Sequence, residues 1–276
     1  DRDPFQPRLR RVAVALRSRH TRSGSGQNDK GMVGEYFLSL LFQLLFTIGA
    51  AALFGFASYF VNRTFYRIVG GGRAVCYATG VIGTPVHEAS HALMCLVFRH
   101  KILEIKFFQI DPDSGVLGYV RHSYDYRNFY QRLGNFFIGV APVLVGNAVI
   151  LLMMFFLARD AWNGVTEAIG AVAQAEGAAA AAGAAFAASG KSFIAVFMPA
   201  NFADGLWYLF IVIALCIALH VNLSPADVSG SVSGAVMLVL LFAVADAVLA
   251  IITSLTNADA LGGFTGGVVT GGAVMM

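Results

Sequence analysis

The chain has 276 residues, 57% hydrophobic and 13% charged, with 30 glycines, 23 phenylalanines and a formal net charge of +3. A typical globular domain is about 25% charged, so this composition excludes a disordered chain, a nucleic-acid binder and an ordinary cytosolic enzyme. Much of the surface must face lipid, as a mean hydropathy of +0.69 also requires.

Residues 1–35 are polar and arginine-rich and read as a basic, flexible N-terminal tail with no packed core. A membrane-embedded domain is expected over 36–258, followed by a glycine-rich C-terminal tail over 259–276. Five spans are predicted, at about 36–61, 74–98, 133–158, 194–221 and 232–255. The first and third are uncharged, the second carries only Glu88, and the fifth is interrupted only by Asp246. Gly80, Gly83 and Pro85 predict a kink or a partly re-entrant path for the second span. Residues 102–120 roughly alternate on either side of Asp111-Pro112-Asp113-Ser114-Gly115, which is the pattern of a β-hairpin with a turn at its tip. Residues 164–190, mostly Ala and Gly, are consistent with a loose outer loop or a weak interfacial helix.

The predicted fold is therefore an all-α polytopic membrane protein with about five transmembrane helices and a small membrane-associated hairpin. Eighteen of the 19 Lys and Arg residues lie at or before Arg159. With the N-terminus cytoplasmic, the inner segments hold 14 of them and the outer segments 5, which favours that orientation in a cell membrane. Cys76, Cys95 and Cys216 have no CxxC spacing and read as reduced, buried small hydrophobes. His100, His122 and the Arg/Tyr-rich stretch 119–132 are expected to form an interfacial belt at headgroup level.

The chemistry concentrates in His87-Glu88-Ala89-Ser90-His91, inside the second span. Residues four apart share one helix face, so both imidazoles reach a single metal ion, and Glu88 lies beside a water on that ion. With 6 His in the chain, the pattern is expected about 0.002 times by chance. Ionisable groups at membrane depth are costly and usually functional. The bland alternative, with Thr84 as N-cap and Glu88 in the first helical turn, accounts for neither histidine.

A catalytic zinc normally takes a third protein ligand. The second span reaches His87 and His91 roughly 20–25 Å from its start. The fourth span, running the same way, arrives at that depth near His220 to Asp227. Asp246 lies midway along the fifth span, as a partner for a zinc-bound imidazole, the lining of a water path or a partner of a neighbouring helix. Asp111 and Asp113 read as turn residues.

His87-Glu-Ala-Ser-His91 together with Asn222-Leu-Ser-Pro225-Ala-Asp227 resembles the site-2 protease family of intramembrane zinc metalloproteases. The resemblance covers about residues 74–232. It implies one zinc ion held by His87, His91 and Asp227, with Glu88 as the catalytic base; His220, at the same depth, is the competing third ligand. The resemblance places Asn222 and Pro225 in a loop that approaches substrate. Ala141-Pro142 with Gly146-Asn147 is similar to a further family element, which adds Asn147 to the substrate-binding residues. Here Asp227 is followed by Val228, and Gly230 comes three positions on. The expected activity is hydrolysis of membrane or membrane-proximal protein substrates. The alternative is a non-hydrolytic metal-binding membrane protein or scaffold derived from such a protease.

Overall fold

A computed structural model describes residues 34, 36–70, 72–111, 113, 115–174, 178–256 and 264–268. The expected basic tail, apart from Gly34, and most of the glycine-rich tail lie outside the described residues. The chain is mostly helical, with one two-stranded antiparallel sheet. Helix α1 runs Tyr36–Val69 and contains a π-helical segment at Leu45–Gly49. It is followed by α2 (Gly72–Val97), β1 (Lys101–Lys106), β2 (Tyr119–Ser123), α3 (Phe129–Leu157), α4 (Arg159–Ala173), α5 (Ala178–Val196), α6 (Gly205–Ala218) and α7 (Pro225–Thr256).

Among the described residues, four stretches are helical, long and apolar enough to cross a membrane: Tyr36–Val69, Phe129–Leu157, Gly183–Ala203 and Pro225–Ile252. At most 33% of any such span's most apolar window is buried within the protein. The remaining apolar side chains, Phe56, Phe60 and Phe186 among them, are exposed and need a lipid environment. This is a helical membrane protein.

The expected fourth span at 194–221 is instead two helices, α5 and α6. Pro199 opens a 3₁₀ turn at Pro199–Ala203, and Asp204 caps the next helix by accepting from Leu206 N–H at 2.9 Å. Asn201 and Trp207 donate to the carbonyl of Val196, consolidating the corner. Residues 164–173 and 178–190 are helical parts of α4 and α5. Ala168, Val172, Ala185 and Ala188 form their shared buried seam with Phe46. Alanine's helix propensity and its small cross-section prevail over the scattered glycines.

The second predicted span forms an unbroken helix that is not one of those four stretches. Helix α2 is continuous with Pro85 inside it, and its glycines serve as contact points. A Cβ at Gly83 would lie 2.2 Å from the carbonyl oxygen of Cys216, so α2 and α6 meet at backbone distance. Helices α3 and α7 approach as closely. A Cβ at Gly234 would fall 2.1 Å from Phe136 N, and one at Gly139 2.6 Å from the Asp227 carbonyl oxygen. Small residues permit such crossings where lipid supplies no hydrophobic drive.

The hairpin forms with a shifted ladder. The paired strands are 101–106 and 119–123, with a register irregularity between Ile102 and Glu104. The tip is the expected turn: Asp111 Oδ1 accepts from Asp113 N–H, and Gly115 N–H donates to the Asp111 carbonyl. Gly115 adopts φ 69°, which glycine accommodates without a Cβ clash.

Candidate metal centre

His87 and His91 lie one turn apart on α2 and face the first turn of α7. The His91 Nε2 atom is 3.1 Å from His87 Nε2 and 3.2 Å from Asp227 Oδ1, and His87 Nε2 is 3.8 Å from Asp227 Oδ2. Both rings are oriented from behind. His87 Nδ1–H donates to the carbonyl of His220 at 2.6 Å, and His91 Nδ1–H donates to the carbonyl of Ile138 at 2.8 Å. A carbonyl oxygen only accepts, so both Nδ1 atoms carry hydrogen, and in the neutral rings both Nε2 lone pairs point at each other and at a carboxylate. Three electron-rich donors converging in this way call for positive charge among them. Tetrahedral zinc with N and O donors at about 2.0–2.2 Å spaces neighbouring donors roughly 3.3–3.5 Å apart, close to the observed spacings. The donor chemistry therefore fits a zinc-class cation, and backbone carbonyls fix the tautomers as second partners of metal-binding histidines commonly do.

Each donor has a local reason for its position. Gly83 lets α6 close on α2, which brings the His220 carbonyl to His87. Gly139 lets α7 close on α3, which delivers Asp227. Asp227 itself completes a reciprocal cap. Ser224 N–H donates to Asp227 Oδ2 at 2.7 Å, and Asp227 N–H donates to Ser224 Oγ at 3.1 Å, with Pro225 opening the helix. One carboxylate oxygen thus anchors the helix start while the other faces His91. The Ser224-Pro225-Ala226-Asp227 spacing is a sequence signal for this cap.

The donors open on a cleft of about 1010 Å³ lined by Glu88, Thr84, Tyr119, His122, Asn135 and Pro225, among others. Glu88 is 6% exposed. Gly118 passes directly over it, where a Cβ would sit 2.8 Å from Glu88 Cγ and from the Lys106 carbonyl. Thr84 is inside α2 rather than at its N-cap, and among the described residues its buried Oγ1 has no hydrogen-bond partner.

Of the expected site residues, the structure brings His87, Glu88, His91, Asp227 and Pro225 together. His220 also lines the cleft; its Nδ1–H donates to the carbonyl of Cys216 and its buried Nε2 has no hydrogen-bond partner among the described residues, but its ring lies outside the close group of His87, His91 and Asp227. It contributes a carbonyl to the group, not its ring. Asn222 and Asn147 are half-buried and do not line the cleft. Asp246 is remote: it follows Asp227 on α7 by five turns, roughly 28 Å at 1.5 Å per residue. Its Oδ1 accepts from Gln43 Nε2 at 2.7 Å, in a buried polar cluster with Ser39 and Thr265. The sequence reading missed this cluster, Gly118 over Glu88, and Asn135, whose Nδ2 donates to Ser233 Oγ across α3 and α7.

The fold and this centre define a helical membrane protein with a candidate metal site in an open cleft. Comparison with protein-family models, curated proteins and solved structures finds no match.

Proposed function

We propose that this chain is a membrane-embedded zinc metalloprotease, akin to the site-2 proteases, that hydrolyses peptide bonds of membrane or membrane-proximal proteins. The observation that carries this reading is the convergence of His87, His91 and Asp227 beside the buried Glu88, in a cleft flanked by an extended segment. Zinc held by those three residues supplies Lewis acidity toward a carbonyl and toward water. The Glu88 carboxylate takes the proton of the attacking water and returns it to the departing amine nitrogen. His220 and Ile138 carbonyls keep the two imidazoles turned to their task. A helical substrate must unwind, because its carbonyls are otherwise occupied in the helix ladder. Residues 116–120 line the cleft and offer main-chain groups along which an extended peptide can lie. With α2 as a further crossing helix, the tail and the hairpin lie on one side, and their excess of Lys and Arg supports a cytoplasmic N-terminus in the cell membrane with the cleft opening toward that side.

The test is cleavage of a single-span reporter peptide by the purified chain in liposomes, beside Glu88→Gln. The variant should keep its zinc and lose at least about 10²-fold in rate, as removal of a general base does. Equal cleavage by both proteins at equal zinc content would refute the mechanism. Zinc in the wild-type chain without cleavage of any such reporter would favour a non-hydrolytic metal-binding protein.

A further inference from the structure

His87, His91 and Cys95 are spaced four apart and occupy successive turns on one side of α2. The first two face Asp227. Cys95 is fully buried and meets a different pair, His100 and His122, with one ligand atom from each residue within 4.8 Å of the others.

Local structure accounts for the grouping. Helix α2 ends in a Schellman motif: His100 N–H donates to the Cys95 carbonyl at 2.8 Å and Arg99 N–H to the Leu96 carbonyl at 3.2 Å. Arg99 takes the left-handed position at φ 58°, which residues with a Cβ rarely adopt. That turn folds His100 back over Cys95. The His100 Nε2–H donates to the Gln131 carbonyl at 2.8 Å, which leaves Nδ1 as the acceptor of the neutral ring. The same Nδ1 lies 3.0 Å from His122 Nδ1 on β2. Tyr124 stacks on the His100 ring at 5.1 Å and 17°, and His100 is 4% exposed.

We infer that Cys95, His100 and His122 form a second metal site that takes one zinc-class divalent cation through a thiolate and two imidazole nitrogens. A thiolate with two imidazoles suits zinc or its cobalt substitute and disfavours magnesium and calcium, which prefer oxygen. The Cys95 thiol proton passes to solvent as the cation binds. The site joins the end of α2 to β2, and through the Gln131 carbonyl to the start of α3. His122 also lines the cleft, so a cation here fixes the hairpin strand that forms the cleft wall.

The test is a cobalt(II) titration of the purified full chain in detergent, read by thiolate-to-cobalt charge-transfer absorption. The His87, His91 and Asp227 group has no sulfur and is silent in that band, so this site and the proteolytic reading fail independently. The band should reach the intensity of one thiolate-bound cobalt per chain, persist in Cys76→Ser and His87→Ala, and vanish in Cys95→Ser. His122→Gln, a change on the hairpin that leaves α2 unaltered, should weaken cobalt binding by at least about tenfold, with far-ultraviolet circular dichroism unchanged. A wild-type chain without the band, a band that survives Cys95→Ser, or unaltered affinity in His122→Gln overturns the inference.

Discussion

Asp227 carries two duties with one side chain. Its Oδ2 closes the cap on α7, an interaction whose loss typically costs about 1 kcal/mol, while its Oδ1 faces His91. Glu88 is instead defined by what covers it, a glycine in the hairpin's returning segment. On the same hairpin Tyr119 O–H donates to Glu104 Oε1 at 2.6 Å, and the Arg121 guanidinium lies 3.4 Å from Oε2. The tyrosine hydrogen bond, with Arg121 nearby, holds the Glu104 carboxyl below its ordinary range. A depressed carboxylate contributes stability that is present above its unfolded pKa and lost as pH falls through its folded value. Glu104 should therefore stay ionised through mild acid. Tyr119→Phe should return it toward the usual carboxylate range, read by NMR titration of ¹³C-labelled glutamate; an unmoved titration would remove Tyr119 as the cause.

The residue-level chemistry was legible where it is local. His87, Glu88 and His91 sit within five residues, and helical periodicity alone puts the histidines on one side. Asp227 was reached through a resemblance and an estimate of depth, although the Ser224-to-Asp227 cap was readable as a spacing. The grouping of Cys95, His100 and His122 was not legible, because it depends on a left-handed arginine and on strand register, neither of which leaves a pattern in the residues. Of the roles expected for Asp246, the structure has the pairing with a neighbouring helix, and depth along a helix did not say which neighbour. Its neighbour is Gln43, on the uncharged first span.

At the level of elements, the metal centre depends on backbone contacts between helices. Gly83 sets α2 against α6, and Gly139 and Gly234 set α3 against α7. Gly83 resembles a helix breaker in a sequence, and the structure uses it for a close crossing inside an unbroken helix. Gly230 provides a contrast on the same helix as Gly234, since a Cβ there meets nothing within 4 Å. Gly234→Ala should destabilise the α3–α7 pair by about 1–3 kcal/mol. Gly230→Ala should be neutral or stabilising by up to about 1 kcal/mol through helix propensity. Denaturant titration in micelles distinguishes the two, and equal stabilities would mean that the crossing tolerates a methyl group. The hairpin and most helices were recognisable from alternation and hydropathy. The division of 194–221 into two helices was signalled by Pro199 and Asp204, and continuous apolar composition masked it.

For the whole molecule, the packing brings the end of α6, the start of α7 and the middle of α2 to one level, with the hairpin across the opening. Asn62 Nδ2 donates to the Leu219 carbonyl at 2.8 Å and ties α1 to the end of α6 just before His220. Residues distant in sequence are thus assembled around a cleft that a bundle of apolar helices would otherwise close. The claim on which this depends is that His87, His91 and Asp227 together bind a metal ion. Zinc content measured in a Cys95→Ser background, where no thiolate site competes, tests it most directly. The account predicts one tightly held zinc per chain, lost on adding His91→Ala or Asp227→Ala. A Cys95→Ser chain that holds no zinc at saturating metal, or one whose zinc survives both substitutions, would contradict it.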